Sequence, residues 1–411
     1  MNAGLLYRFQ NTFLNEQWKS ILIYLYVFFL PVCDWLPVKI NSFLIIIISL
    51  IWLTEQVRVF RGWRIIFSFE FFLLSAIFLL QLLSFFHGGS SQDIEHNLLV
   101  KLPFFIFPLV WGHFHKNISF HSIMKYFVLG TLLACICSFR FLCSSSYSIS
   151  DILDYTTYES YLVLHRPYFG IYLVLSIVLL MYNIRSLWSY LLLIFFLLFL
   201  FLIQSKMSWF AFILILLIHF AFHPKRKIRT ILSTLTIILC LASVFSAAIY
   251  YAQKQDKLGQ SSGFERFFIL SVNTRLVHFD CAWDILKSDP LFGAGAGHSV
   301  RLMKHCYDIY PSYRPAFNQS GKYFNAHNEF LEEGIRHGVL GLMIYAVCFF
   351  FFFRQSVRHR NKIYLQFLVI VIVASATESL FSRAQGVLLI AFFNTLFYIN
   401  PSIGSKADTH K

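Results

Sequence analysis

Charge is scarce in this chain. Only 13% of its 411 residues are Asp, Glu, Lys or Arg, about half the roughly 25% of a soluble domain. With 58% hydrophobic residues and 49 phenylalanines, a water-soluble fold is excluded, because no aqueous globule buries that much apolar surface; the bilayer is the solvent for most of the chain. The eight cysteines contain no CxxC pair. Cys135 and Cys137 lie two apart in an apolar run and point to different helix faces, which argues against a metal site. Cys281 and Cys306 share one loop, and sequence alone leaves their pairing open. The glycine-rich run PLFGAGAGH (290–298) is followed by no GK[ST], which excludes a P-loop, and has no βαβ context for a dinucleotide fingerprint. A turn where backbone approaches backbone is the preferred reading; contact with a phosphate or sugar is the alternative. The N-terminal apolar run lacks an A-x-A site and is expected to be a first span rather than a cleaved signal. No internal repeat is present.

What charge there is sums to +14. It falls in short loops between apolar runs, which fits orientation in a membrane better than nucleic-acid binding. A span needs about 20 mostly apolar residues. Helices are expected near 19–33, 41–55, 65–86, 98–113, 121–143, 165–182, 187–203, 207–222, 229–251, 335–353, 363–378 and 384–399. Basic residues mark alternate loops: Arg58, Arg61 and Arg64; Lys116 and Lys125; Arg185; Lys225, Arg226, Lys227 and Arg229; then Arg354, Arg358, Arg360 and Lys362. HGGSSQDIEHN and SSSYSISDILDYTTYES contain neither Lys nor Arg. The positive-inside rule then puts both termini in the cytoplasm and the long loop 252–334 outside. The expected fold is an all-α polytopic membrane protein of about twelve spans with one large, partly helical outer loop. Three parts are expected: a bundle at 1–251, the loop at 252–334, and C-terminal helices with a short tail at 335–411.

The long loop is not a linker. It carries Phe279, Trp283, Leu286, Leu291 and Phe292, and apolar residues at 276, 279, 283 and 286 follow helical spacing. Cations that orientation does not explain gather at the outer ends of spans: Lys101, Arg140, Arg166, Lys206 and Arg383, with Arg275 in the loop. Snorkelling accounts for one or two; for the group, a shared anionic ligand such as a diphosphate is the sharper reading. Asn273 or Thr274 is expected to cap a helix through TRLVHFDCAWDIL, placing Arg275 in its first turn beside a bound anion. The alternative is an ion pair with Asp280 or Glu265. Asn325 is expected to cap the helix that holds His327 in its first turn, where the dipole keeps the imidazole neutral and suited to general-base work. In HRPYFG, His165, Arg166 and Tyr168 open the sixth helix, with Pro167 well placed at a helix start. Glu378 and Arg383 bracket the turn ESLFSRAQG and read as an ordinary ion pair when taken alone.

Together, Arg275-x7-Trp283, then Pro290-x-Phe-Gly-Ala-Gly-Ala-Gly297, then Ala326-His-Asn-Glu-Phe-Leu-Glu-Glu-Gly-x3-Gly338-x2-Gly341 resemble the bacterial O-antigen ligase family and its relatives, the surface-polysaccharide polymerases. The resemblance covers the long loop and its flanking helices; the apolar remainder agrees only in helix count and arrangement. It implies a metal-independent, cofactor-free glycosyltransferase at the periplasmic face of the bacterial inner membrane. Such an enzyme takes a glycan from undecaprenyl diphosphate and, in ligases, places it on lipid A-core. By the same resemblance Arg275 binds the donor diphosphate and His327 activates the acceptor hydroxyl. Lys206, Arg166, Arg383, Glu378 and Asn328 are candidate contacts to donor or glycan. Where the family often has Ser-Arg-Gly, this chain has Ser205-Lys206-Met207, which keeps the charge and loses the bidentate fork.

Two further acceptors fit the same donor: a growing glycan, which makes a polymerase, and a protein hydroxyl. A glycan transporter is the rival of another class. Transporters set polar groups near the bilayer midplane, whereas these cations gather at the outer rim.

Overall fold

A computed structural model describes residues 16–33, 39–59, 68–114, 118–139, 162–182, 186–203, 205–222, 263–309 and 325–401, and every element among them is helical. In chain order they are α1 (Glu16–Phe29, extended by a 3-10 turn, Leu30–Val32), α2 (Ile40–Val59), α3 (Phe69–Gln81), the single turn α4 (Ser84–His87), α5 (Ser91–Lys101), α6 (Pro103–Phe114), α7 (Phe120–Ser138), α8 (Arg166–Tyr182), α9 (Leu187–Leu202), α10 (Lys206–Phe222), α11 (Gly263–Ser288), α12 (Ala296–Ile309), α13 (Glu329–Arg358), α14 (Lys362–Ser375) and α15 (Ala384–Ile399). The expected span at 229–251 lies outside the described residues.

Among the described residues, four stretches are long and apolar enough to cross a membrane: Phe69–His87, Ser91–Trp111, Phe120–Ser138 and Glu329–Arg358; seven shorter apolar helices accompany them. α8 and α15 form the centre. Residues 168–180 of α8 and 385–398 of α15 are buried without a break, as all-round apolar helices must be. The periphery faces the other way. Phe43, Ile46, Leu50 and Leu53 of α2, and Leu187, Trp188, Leu191, Ile194 and Leu198 of α9, are exposed. Helices with apolar faces turned outward mark a membrane protein.

Two boundaries differ from expectation. The fourth span does not begin at 98. Ser90 caps a helix at Ser91 by accepting from Asp93 N, so most of the polar run read as a loop is helical. Lys101 is therefore not a free cation at the rim; it is fully buried and paired with Glu333. The expected break at QSKMS does separate two helices, α9 and α10.

The second difference is in α13, which begins at Glu329 and is broken at Gly338 (φ 61°, ψ −156°). The glycine-rich run docks into the break. Ala294 N and Gly295 N donate to the carbonyls of Ile335 and Arg336 at 2.7 and 3.0 Å, and Val339 N donates to Pro290 O at 2.8 Å. The loop thus satisfies backbone groups that the kink frees. A Cβ on Gly338 would lie 2.5 Å from the Leu291 carbonyl carbon and oxygen, at a backbone conformation essentially confined to glycine. Gly338→Ala is expected to cost about 1–3 kcal/mol, read as a lower melting temperature of the purified protein in detergent. An unchanged melting temperature would show that the loop does not hold the break.

Candidate active site

Residues 263–309 fold as two helices, α11 and α12, packed against α13. Val277, Cys281, Ala282 and Ile285 of α11 pack with Met303 and Tyr307 of α12, and with Ala326 and Ile335. A disulfide joins Cys281 to Cys306, with Cα atoms 5.8 Å apart, so the pairing left open by the sequence is formed.

Three of the expected residues meet beside this helix pair. His327 Nδ1 lies 3.3 Å from Glu378 Oε2, and an Arg275 guanidinium nitrogen lies 3.8 Å from Glu378 Oε1. Glu378 is only 10% exposed, whereas the His327 and Arg275 side chains are 40% and 44% exposed. The carboxylate thus sits beneath two open groups. As an acceptor it takes the Nδ1–H of His327, leaving the Nε2 lone pair free. That is the geometry of a base oriented by an acid. His327 also has φ 44°, uncommon for a residue with a side chain and frequent at functional sites.

The local structure around both groups departs from expectation. Arg275 is not in a first turn. α11 runs unbroken from Gly263 to Ser288, so Arg275 is mid-helix and the anion-at-the-dipole argument fails; nothing between 263 and 275 breaks a helix. Its acid partner is Glu378. His327 precedes its helix rather than opening it, because the cap of α13 is Asn328, which accepts from Leu331 N at 3.0 Å. Asn325 instead accepts from His327 N at 3.1 Å, an Asx turn that shapes the bend. Asn328 uses its other end as well, donating to Ala376 O at 3.0 Å. These bonds fasten the start of α13 to the end of α14.

Lys206, Arg166 and Arg383 lie at helix starts near the same site, and Arg140 lies outside the described residues. Lys206 opens α10, close enough to Arg275 for their charges to repel. Arg166 opens α8, two residues before Tyr168, whose hydroxyl donates to Ser379 O at 3.2 Å. Arg383 is exposed and immediately precedes α15. It makes no ion pair with Glu378, which faces His327 and Arg275 instead.

Sequence reasoning missed the polar core beneath the site. Glu329, Glu332, Glu333, Arg336 and His337 are all buried. Arg336 pairs with Glu332 at 2.5 Å and reaches Glu333 at 3.5 Å. Glu333 also pairs with Lys101 and takes His337 Nδ1 at 2.9 Å and Gln81 Nε2 at 3.2 Å. Glu332 Oε2 accepts from Ala326 N at 2.7 Å and Ser379 Oγ at 3.5 Å, the neighbours of His327 and Glu378. Glu329 accepts from Phe381 N at 2.8 Å. This core fixes the His327 bend and the Glu378 turn to each other. The i,i+4 placement of Glu332 with Arg336, and of Glu333 with His337, was the available signal.

The described residues thus form a helical membrane protein in which a histidine and an arginine meet at one carboxylate beside a disulfide-linked helix pair. Residues 191–346 match the family model described as O-antigen ligase, so this segment of the chain is similar to that family. The matched region contains Lys206, Arg275, His327 and Asn328 and stops short of Glu378 and Arg383. No curated protein matches the chain.

Proposed function

We propose that the chain is a glycosyltransferase of the ligase type, moving a glycan from undecaprenyl diphosphate to lipid A-core at the periplasmic face of the inner membrane. The observation that carries the reading is that His327 and Arg275, both within the matched segment, meet at Glu378 beyond its end. The acceptor hydroxyl gives its proton to His327 Nε2 as its oxygen bonds to the anomeric carbon of the donor. The bond from that carbon to the diphosphate oxygen breaks, and the diphosphate leaves with the electron pair. Arg275, with Lys206, Arg166 and Arg383 around the rim, offsets the growing negative charge. A resident metal or cofactor has no part in this scheme. Both termini lie in the cytoplasm on this reading.

Purified protein in lipid nanodiscs, given undecaprenyl-diphosphate-linked glycan and lipid A-core, tests the assignment. Extension of lipid A-core is expected. Lengthening of the lipid-linked glycan instead would identify a polymerase, and a glycosylated protein would point to the third acceptor. Arg275→Lys is expected to lose about tenfold or more in transfer rate, because a point charge replaces a bidentate fork. An unchanged rate and donor KM would remove Arg275 from donor binding.

A further inference from the structure

His278 occupies a place that the proposed chemistry leaves without a task. It lies on α11, nearly one helical turn after Arg275, and is 4% exposed. Its ring packs on that of His327 with centroids 4.8 Å apart and planes 33° apart. Its Nδ1 lies 2.5 Å from the Tyr307 hydroxyl, and that hydroxyl donates to Asn325 O at 3.0 Å. A tyrosine has one proton to give, so with Asn325 O as its acceptor the His278 Nδ1–H must be the donor to Tyr307. Asn325 Oδ1 in turn accepts from His327 N. Two paths therefore leave His278 and end on His327. One crosses the ring faces. The other passes through Tyr307 and Asn325 to the backbone. The Cys281–Cys306 disulfide closes α11 onto α12 beside this pair, one turn from His278 and one residue from Tyr307.

We propose that His278 is a positioning residue for the base: a ring wall, tethered through Tyr307, that holds the His327 imidazole in the plane where Nδ1 meets Glu378 and Nε2 faces the acceptor. The inference rests on His327 being the base. Geometry asks for a wall that is rigid and uncharged, since a cation pressed against His327 would oppose the imidazolium that forms there. The surroundings keep it so. Burial first, then the neighbouring His327 and Arg275, bring the His278 pKa down to about 3. Among the described residues, the groups around it are His327 from the bend, Arg275 on its own helix and Tyr307 on α12, with Glu378 beyond His327 and Glu332 acting on Tyr307.

Three variants in nanodiscs, assayed with the lipid-linked donor, decide it. His278→Ala is expected to lower kcat about 10- to 100-fold with donor KM unchanged, since misplacing a reacting group costs that much. His278→Phe restores the wall and is expected to recover kcat to within about threefold of the parent. Tyr307→Phe cuts the tether and keeps the wall, as His278→Phe does, and removes the bond to Asn325 O; a loss of about threefold in kcat is expected. Retention of the disulfide, seen as a mobility change on reduction, reports that the helix pair of each variant has folded. Full kcat in both His278→Ala and Tyr307→Phe overturns the proposal. So does a His278→Phe protein that folds and is as slow as His278→Ala, because the imidazole itself would then be reacting. His327→Ala in the same assay separates the two failures: if that variant keeps its rate, the base assignment falls; if it is inactive while the His278 variants are normal, only the positioning role falls.

Discussion

His327→Ala is expected to lower transfer about 10²- to 10⁴-fold, the usual contribution of a positioned general base, while the protein inserts and melts as before. The side chain is 40% exposed and lies outside any helix, and its two buried partners keep others: Glu378 keeps Arg275 and His278 keeps Tyr307. Rate and stability should therefore separate. Glu378→Gln is expected to act in the same direction with a smaller loss, because the amide keeps the shape but gives up the charge that steadies imidazolium. Single-turnover transfer, with circular dichroism and a thermal melt on the same samples, checks both. A His327→Ala protein with parental rate would move the base elsewhere in the site.

Glu333→Ala is expected to do the reverse, costing fold before rate. Both Glu333 and Lys101 are 0% exposed. Deleting the carboxylate leaves an ammonium in a dry interior and also removes the acceptor for His337 Nδ1 and Gln81 Nε2. Breaking one side of such a pair costs about 3–5 kcal/mol, whereas replacing both partners by apolar residues is far milder. Glu333→Met combined with Lys101→Met should therefore recover much of the melting temperature and detergent yield lost in Glu333→Ala. A single variant as stable as the parent would mean that Lys101 finds water or another acid.

The described apolar helices were largely legible in the sequence because apolar runs are set by the bilayer, a constraint that acts on each segment alone. α8, α10 and α15 sit where hydropathy puts them. The positions that misled are those whose state depends on a partner far along the chain. Lys101 looked like a rim cation because its acid lies 232 residues away. Local cap signals also misdirected: TRLV suggested a helix start, yet the preceding residues continue the helix, and Asn325 is displaced as a cap by Asn328. His327, Arg275 and Glu378 were named from motifs, but their meeting at one carboxylate is a tertiary fact. His278 and Tyr307 left no trace in spacing, because their contact joins two helices whose packing is set by how the glycine-rich turn docks on α13.

The buried ionic knot links the fates of positions 101, 332, 333 and 336. Any one of them altered by itself strands a charge away from water, so drift there has to proceed through coupled exchanges. On the lipid-facing sides of α2 and α9, one apolar residue can stand in for another with little penalty. Diversification of this chain is thus expected to run along its outer skin, while its polar centre changes only in concert.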